Sequence, residues 1–264
     1  MIANSSIVDV RIDKPSATII LNRPARKNAI SSESVQRILE AFADLNQERG
    51  VSAVILTGSS DSFCSGTDLN DLNLNLDDEA SQEKWFQETM AMNELLETML
   101  RFPKPIIAAV NGAALGYGFA LSLACDLIIA SPEAFFGCPE IKRGLVPGLV
   151  SPLLAFRVGA AKAASYALTG SQISCEEAKS AGFLHEVVQN DNVLWARAND
   201  LAKVFAENSP QSMQMTKNLI NETVGEAFLT HLNLGTANSA AARTTESAKE
   251  GVRAFVDKRS PKWS

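Results

Sequence analysis

Residues 104–140 read KPIIAAVNGAALGYGFALSLACDLIIASPEAFFGCPE, a succession of strand, turn and helix patterns. The β-rich run Pro105–Val110 stops at Asn111-Gly112, which predicts a strand followed by a turn. From Gly118 to Cys125 the residues are small or apolar, as expected of a buried helix. The first turn of a helix presents unpaired N–H groups and the positive end of the helix dipole. A buried helix that starts at a glycine turn can therefore form half of an oxyanion hole.

A second turn of small residues lies upstream. Val54–Thr57 is a short apolar strand, and the turn after it leads into Phe63–Asp68, FCSGTD. Asp68 can cap or begin a helix. Two such turns, each following its own strand, could place two N–H donors on one oxygen atom.

Several blocks of the sequence, taken in order, resemble the motifs of the enoyl-CoA hydratase/isomerase (crotonase) family. They are residues 63–68 (FCSGTD), 111–118 (NGAALGYG), 125–130 (CDLIIA), 136–140 (FGCPE), 168–170 (LTG), 178–183 (AKSAGF) and 255–259 (FVDKR). Each block alone is weak, but the ordered set spans nearly the whole chain. The resemblance implies an α/β fold, a crotonase-like spiral of ββα units, with a C-terminal helical region used in trimerisation.

The division of the chain follows from where strands stop. Strand, helix, strand and glycine turn recur twice before residue 120, which indicates an α/β core with parallel strands. Residues 209–257 are expected to be helical apart from breaks at Gly225 and Gly251. We therefore expect an acyl-CoA-binding core over residues 1–190 and a helical oligomerisation region over 191–264. In the family such a region builds homotrimers, often paired into hexamers.

Composition excludes several classes of function. The 264 residues include 24 basic and 30 acidic ones, a net charge of −6, and no basic run, so nucleic acid is not an expected partner. Four cysteines show no metal-ligand spacing and suit a reducing compartment. No signal peptide or membrane-length apolar run is present. The sequence thus predicts a soluble cytoplasmic protein with no metal.

A basic loop follows the strand predicted at Ala17–Leu21. Arg23, Arg26 and Lys27 could be a solvated loop, or they could contact a phosphate. The resemblance places the CoA nucleotide over this loop and favours Arg26 or Lys27. It implies further substrate or CoA contacts in the matching blocks, at Ser65, Gly66, Asp68, Gly116, Gly118 and Lys258. CoA would enter as part of the substrate, and no other cofactor is expected.

Residues 69–103 are polar at first and then helical. Asn70–Asp78 is rich in Asn and Asp, and we expect it to be mobile. Glu79–Arg101 carries apolar residues at helical spacing. This helix either packs on the core or, with the loop before it, lines an acyl pocket whose methionines suit a flexible apolar substrate.

The resemblance also assigns catalytic roles. It implies that the backbone N–H groups of Thr67 and Tyr117 hold a thioester oxygen. Tyr117 stands where the family usually has glycine, so its side chain either packs beneath the helix or reaches the substrate. Glu140 matches a catalytic glutamate, and its apolar setting predicts a raised pKa.

The second catalytic glutamate of the hydratases is absent, because its position is Ala120. One carboxylate can move a proton from C2 to C4, whereas efficient hydration uses two to activate water. We therefore expect a 3-enoyl-CoA to 2-trans-enoyl-CoA isomerase. A hydratase, or a hydroxycinnamoyl-CoA hydratase-lyase in which Tyr117 orients water, is the alternative. A CoA-thioester binder without turnover is a further one.

Other chemistries find little support in the sequence. His185 and His231 fit structural roles, and no histidine lies in the blocks around Cys64 or Cys138 to activate a thiol. A dinucleotide motif fails because Leu121 stands in place of its third glycine.

Overall fold

The computed structural model describes residues 6–69, 81–223 and 226–263, so the expectations for Asn70–Asp78 and for Gly225 lie outside the described residues. The strands are β1 Val8–Asp13, β2 Ser16–Leu21, β3 Ala53–Gly58, β4 Ser62–Cys64, β5 Ile106–Val110, β6 Ala113–Leu115, β7 Leu127–Ala130, β8 Phe135–Gly137, β9 Gln172–Ser174 and β10 Glu186–Val187. One sheet has the order β1-β2-β3-β5-β7-β10, and a second has β4-β6-β8-β9. Both ladders are parallel except at β1 and at β9.

The helices are α1 Ser32–Gln47, α2 Ser81–Arg101, α3 Tyr117–Ala124, α4 Val150–Val158, α5 Ala160–Thr169, α6 Cys175–Ala181, α7 Leu194–Ala206, α8 Pro210–Thr223, α9 Glu226–Ala242 and α10 Glu246–Val256. Local signals explain several of their ends. Ser31 and Ser174 each accept a hydrogen bond from the third backbone amide of their helix, as capping boxes. None of the described helices is long and apolar enough to span a bilayer.

The two sheets arise from one repeated step. In the pairs β3–β4, β5–β6 and β7–β8, the first strand joins the six-stranded sheet and the second joins the four-stranded sheet. Helices α2 and α3 follow the first two pairs. This is the expected spiral of ββα units, and it brings the turns that precede α3 and follow β4 side by side.

The C-terminal helices are packed against the strands and turns that precede them. Helix α7 covers one face of the larger sheet, where Ala198 and Ala202 pack with Ile55 and Ile107. Helix α8 is fixed by Lys217, which is 7% exposed and donates to Asp126 Oδ2 at 2.7 Å. A buried ion pair at this distance holds the helix to the start of β7.

The predicted break at Gly251 is wrong. The chain breaks at residues 243–245 instead, and Gly251 lies inside α10. A Cβ at Gly251 would stand 2.3 Å from the carbonyl carbon of Arg143. Glycine is present here because α10 touches the backbone of the segment that carries Glu140, not because a helix ends.

Candidate active site

A cavity of about 320 Å³ lies between the two glycine turns, α2 and the C-terminal helices. Most of the residues predicted from the sequence line it: Arg26, Ser65, Gly66, Thr67, Asp68, Gly116, Tyr117 and Glu140. The other three predicted residues, Lys27, Gly118 and Lys258, do not. The volume suits a small acyl group rather than a nucleotide.

The Thr67 amide is held facing away from its neighbouring strand. Ile30 N donates to Gly66 O at 2.8 Å, and Asp68 N donates to Ile30 O at 3.0 Å, so two bonds flank Thr67 in a parallel bridge. Successive N–H groups of an extended chain point in opposite directions. The Thr67 N–H therefore points away from Ile30, and within the described ranges it has no protein acceptor.

The Tyr117 amide is the first of α3, so it has no acceptor within its own helix. The two turns touch, because a Cβ at Gly66 would lie 3.5 Å from the Tyr117 nitrogen. A Cβ at Gly118 would lie 2.4 Å from Cys64 O, so α3 sits directly on β4. These contacts bring two amides that lack an acceptor among residues 6–69, 81–223 and 226–263 to the same wall of the cavity, as an oxyanion hole requires.

The Tyr117 side chain is buried and already bonded. It is 4% exposed, and its hydroxyl donates to the carbonyl of Met92 at 2.6 Å. Burial raises the pKa of this phenol well above its ordinary value. Of the two placements open from the sequence, this one packs the ring between α3 and α2, with part of it lining the cavity.

We predict that Tyr117→Phe lowers stability and spares turnover. The variant removes one buried hydrogen bond, while the Met92 carbonyl keeps its bond within the helix, so the free energy of unfolding should fall by about 0.5–1.5 kcal/mol. Urea unfolding and kcat measure the two effects, with Tyr166→Phe as a control because Tyr166 is buried outside the cavity. A fall in kcat of about a hundredfold at unchanged stability would instead give the hydroxyl a part in proton transfer.

Glu140 stands over the start of α3. It lies in a 3-10 helix, Pro139–Arg143, directly after β8. A Cβ at Gly116 would lie 2.9 Å from Glu140 Oε1, so the carboxylate covers the residue before the Tyr117 amide. Gly116 has φ 52° and ψ −124°, a conformation open to glycine alone, which makes room for this contact.

The Glu140 carboxyl is in an environment that favours its neutral form. Its Oε2 atom is buried and finds no partner among the described residues. Burial raises the pKa of Glu140 from 4.5 to about 7, opposed in part by its own backbone amide and by the charge of Arg143. An acid with this pKa can both accept and return a proton near neutral pH.

In the basic loop, Arg23 and Lys27 form ion pairs with aspartates, whereas Arg26 lies at the cavity. Arg23 binds Asp68 at 3.0 Å, so this buried aspartate is part of an ion pair that fixes the loop. Lys27 binds the exposed Asp61 at 2.6 Å, outside the cavity. Ser65 Oγ donates to the carbonyl of Arg26 at 3.3 Å, and Arg26 is exposed at the mouth of the cavity. Arg26 is thus the better placed of the two predicted phosphate contacts.

Two arginines and an aromatic ring are among the cavity residues that were not predicted from the sequence. Arg143 lies over the ring of Phe255 at 4.6 Å, and both line the cavity. Arg243 lines it as well and is 6% exposed. The sequence signal that could have indicated them is the pair of glycines at 144 and 148, where the chain passes close to the last two helices. A glycine in the sequence does not show which segment it contacts.

The remaining reactive groups are inert by position. All four cysteines are buried and unpaired, and burial raises the pKa of Cys64 to about 12. His185 Nδ1 accepts a hydrogen bond from the backbone of Ile128 at 3.0 Å, and burial lowers its pKa. Within the described residues no cluster of three or more His, Cys, Asp or Glu side chains could bind a metal ion.

Comparison with known proteins identifies the family of this chain. The family model for enoyl-CoA hydratase/isomerase matches residues 12–264. A Thermus thermophilus protein named for enoyl-CoA hydratase activity is 36% identical over 94% of this chain and 96% of its own. The 1,2-epoxyphenylacetyl-CoA isomerase of Escherichia coli is 33% identical over 96% of each chain.

A solved structure gives the same result for the fold. The crystal structure of an enoyl-CoA hydratase from Bacillus halodurans superposes with a TM-score of 0.87 at 27% identity, covering 94% of this chain and all of that one. The ordered motifs, the two-sheet spiral and the match over nearly the full length agree. This chain belongs to the enoyl-CoA hydratase/isomerase family.

Proposed function

We propose that this protein is an enoyl-CoA isomerase that converts a 3-enoyl-CoA into the 2-trans-enoyl-CoA, with Glu140 as the single proton carrier. The observation that supports this most is that the buried Oε2 atom of Glu140, which has no partner among the described residues, stands beside the turns that carry the amides of residues 67 and 117. The CoA nucleotide lies outside, over Arg26, and the thioester enters the cavity.

The reaction proceeds through an enolate. The N–H groups of Thr67 and Tyr117 bind the thioester oxygen and stabilise the negative charge that develops on it, each contributing about 3–4 kcal/mol. Glu140 removes a proton from C2, and the electron pair delocalises over C2, C3 and C4. The same carboxyl returns the proton to C4, which leaves the double bond between C2 and C3.

The acidic residues around the cavity favour isomerisation over hydration. Asp68 is engaged by Arg23, and Ala120 supplies no carboxylate in α3. The Tyr117 hydroxyl donates a hydrogen bond to the Met92 carbonyl. Hydration needs a second group to position water, and Glu140 stands without such a partner among the cavity residues described.

Hydration is the second candidate, because the Thermus relative is named for that activity. A hydratase-lyase of hydroxycinnamoyl-CoA is a variant of it. In this case Glu140 alone would position and activate the water, because the amides of residues 67 and 117 bind the thioester oxygen. A non-catalytic CoA-thioester binder is the third possibility.

Three substrates separate these functions. The protein is incubated with 3-hexenoyl-CoA, crotonyl-CoA and feruloyl-CoA, and conjugation, hydration and cleavage are followed by ultraviolet absorbance. We expect conjugation of 3-hexenoyl-CoA to have the highest kcat/KM. Faster hydration of crotonyl-CoA, or cleavage of feruloyl-CoA, would replace the isomerase with the second candidate. Tight CoA binding with no turnover of any acyl-CoA would support a non-catalytic CoA-thioester binding protein.

We predict that kcat/KM rises with pH to a plateau above about pH 7. The proton-abstracting form is the carboxylate, and burial raises the pKa of Glu140 to about 7. Below that pKa the rate should fall about tenfold per pH unit, because kcat/KM reports ionisation of the free enzyme. A profile that stays flat down to about pH 5 would mean that Glu140 has an ordinary pKa or is not the base.

We also propose that α8 forms part of a trimer interface. Three large apolar side chains of this helix are strongly exposed in the single chain, with Met215 at 64%, Leu219 at 66% and Ile220 at 58%. Such a contiguous apolar patch marks an interaction surface. Sedimentation velocity distinguishes a trimer or hexamer from a monomer, which would contradict this assignment.

A further inference from the structure

A second guanidinium lies inside the cavity. Arg243 follows α9 directly, is 6% exposed, and lines the same cavity as Glu140. Within the described ranges its side chain makes one hydrogen bond, from Nη1 to Glu88 Oε2 at 3.5 Å. A charge-assisted hydrogen bond is normally about 2.7–2.9 Å long, and a guanidinium carries several N–H donors. The buried charge is therefore weakly compensated, which is costly unless a ligand supplies the anion.

Contacts along helix α2 show how far Arg243 lies from the amides of residues 67 and 117. Met92 accepts the Tyr117 hydroxyl and places its Sδ 4.0 Å from Thr67 Oγ1, so it marks the level of the two amides. Glu88, the partner of Arg243, lies one helical turn earlier, which corresponds to about 6 Å along the axis. A few carbon atoms would span this distance.

The part of the substrate that meets Arg243 is the acyl group. The CoA nucleotide is too large for a cavity of about 320 Å³, and the exposed Arg26 marks the mouth. Arg143 adds a second positive charge to the interior, with its Nε buried and without a partner among the described residues. Ser239, one turn before Arg243 on α9, adds a hydroxyl to the same lining.

We propose that the acyl group carries a carboxylate at its far end and that Arg243 binds it, so that the substrates are CoA monothioesters of dicarboxylic acids. This inference rests on the proposed function, because it assumes an acyl-CoA in the cavity. Its competitor is a purely structural Arg243 that ties the turn after α9 to Glu88 on α2. A structural arginine would be indifferent to the chemistry at the end of the acyl chain.

Saturated thioesters test this without turnover. The dissociation constants of glutaryl-, adipoyl- and suberoyl-CoA are compared by calorimetry with those of pentanoyl-, hexanoyl- and octanoyl-CoA. Each pair has the same chain length and differs only in a terminal carboxylate or methyl group. For at least one length we expect the wild type to bind the carboxylate form about tenfold to a hundredfold more tightly. Equal binding, or a preference for the methyl form at every length, overturns the inference.

Two variants assign the preference to Arg243. Arg243→Met should abolish it while keeping the binding of the methyl-ended thioesters. Glu88→Gln, the matched control, removes the ion pair but keeps the guanidinium, so it should retain or increase the preference. A fall for both ligand classes alike in Arg243→Met would support the structural role and contradict the proposal.

The two proposals fail differently. If none of the thioesters binds to the wild type, the proposed function fails and this inference falls with it. If both classes bind equally, acyl-CoA recognition stands and only the terminal carboxylate is refuted.

Discussion

Glu140→Gln should lower kcat for isomerisation by about a hundredfold to ten-thousandfold, the scale of a lost general base. Glutamine keeps the shape of the side chain but cannot take the proton from C2. KM should change little, since the amides of residues 67 and 117 still bind the thioester. Steady-state kinetics with 3-hexenoyl-CoA measure both quantities. Activity within about tenfold of the wild type would refute Glu140 as the proton carrier.

A measurement of stability shows whether Glu140→Gln loses activity because the base is missing or because the protein unfolds. The folded-state pKa of Glu140, about 7, lies above the value of 4.5 for an unperturbed group. The folded protein thus binds this proton more tightly, so the free energy of unfolding falls as pH rises between these values. The glutamine side chain has no such proton, and Glu140→Gln should be at least as stable as the wild type above pH 7. Glu133→Gln, an exposed change on the preceding loop, is the matched control and should leave activity unchanged.

Gly118→Ala should lower both stability and kcat/KM. Helix propensity alone predicts the opposite, since alanine is favoured over glycine by about 1 kcal/mol inside a helix. The new Cβ would lie 2.4 Å from Cys64 O and 2.6 Å from Cys64 Cβ, so α3 and β4 must separate. Overpacking of this kind costs about 1–3 kcal/mol. The amides of residues 67 and 117 would move with these elements, and a shift near 1 Å can cost about a hundredfold in rate.

Urea unfolding and kcat/KM of Gly118→Ala test this directly. Gly159→Ala is the control, because a Cβ there meets nothing within 4 Å and only the backbone at φ 80° is strained. Because φ 80° and ψ 156° is a conformation adopted almost only by glycine, that control should lose about 1–3 kcal/mol of stability and keep its kcat/KM. A Gly118→Ala protein that is more stable than the wild type would mean that α3 can move from β4 at little cost.

Local signals predicted the two glycine turns and the apolar setting of Glu140, whereas the family resemblance supplied the roles of Thr67, Tyr117 and Glu140. The glycine turn before α3 and the Pro139-Glu140 pair each follow a strand directly, so parallel pairing brings them together. The Tyr117 side chain could not be placed, because its partner Met92 lies on another helix.

The far end of the cavity was beyond local reasoning. Arg243 is distant in sequence from Glu140, and only the packing of α9 and α10 places both around one space. Gly251 was misread as a break because glycine lowers helix propensity, whereas here it permits close approach to Arg143. Such a contact depends on a partner that neither propensity nor periodicity reports.

The contact between α10 and the turn at Glu140 ties the enzyme's working lifetime to its final helix. A Cβ at Gly144 would meet Ser247 O at 2.2 Å, and a Cβ at Gly251 would meet the backbone of Arg143 at a similar distance, so α10 holds the segment that carries Glu140. A helix can open locally at lower free energy than a central sheet. Mild heating that detaches α10 should therefore abolish activity reversibly while the strands remain folded. Proteolytic removal of α10 should abolish activity irreversibly. Far-ultraviolet circular dichroism, which reports secondary structure, would therefore overestimate how long a stored preparation keeps its activity.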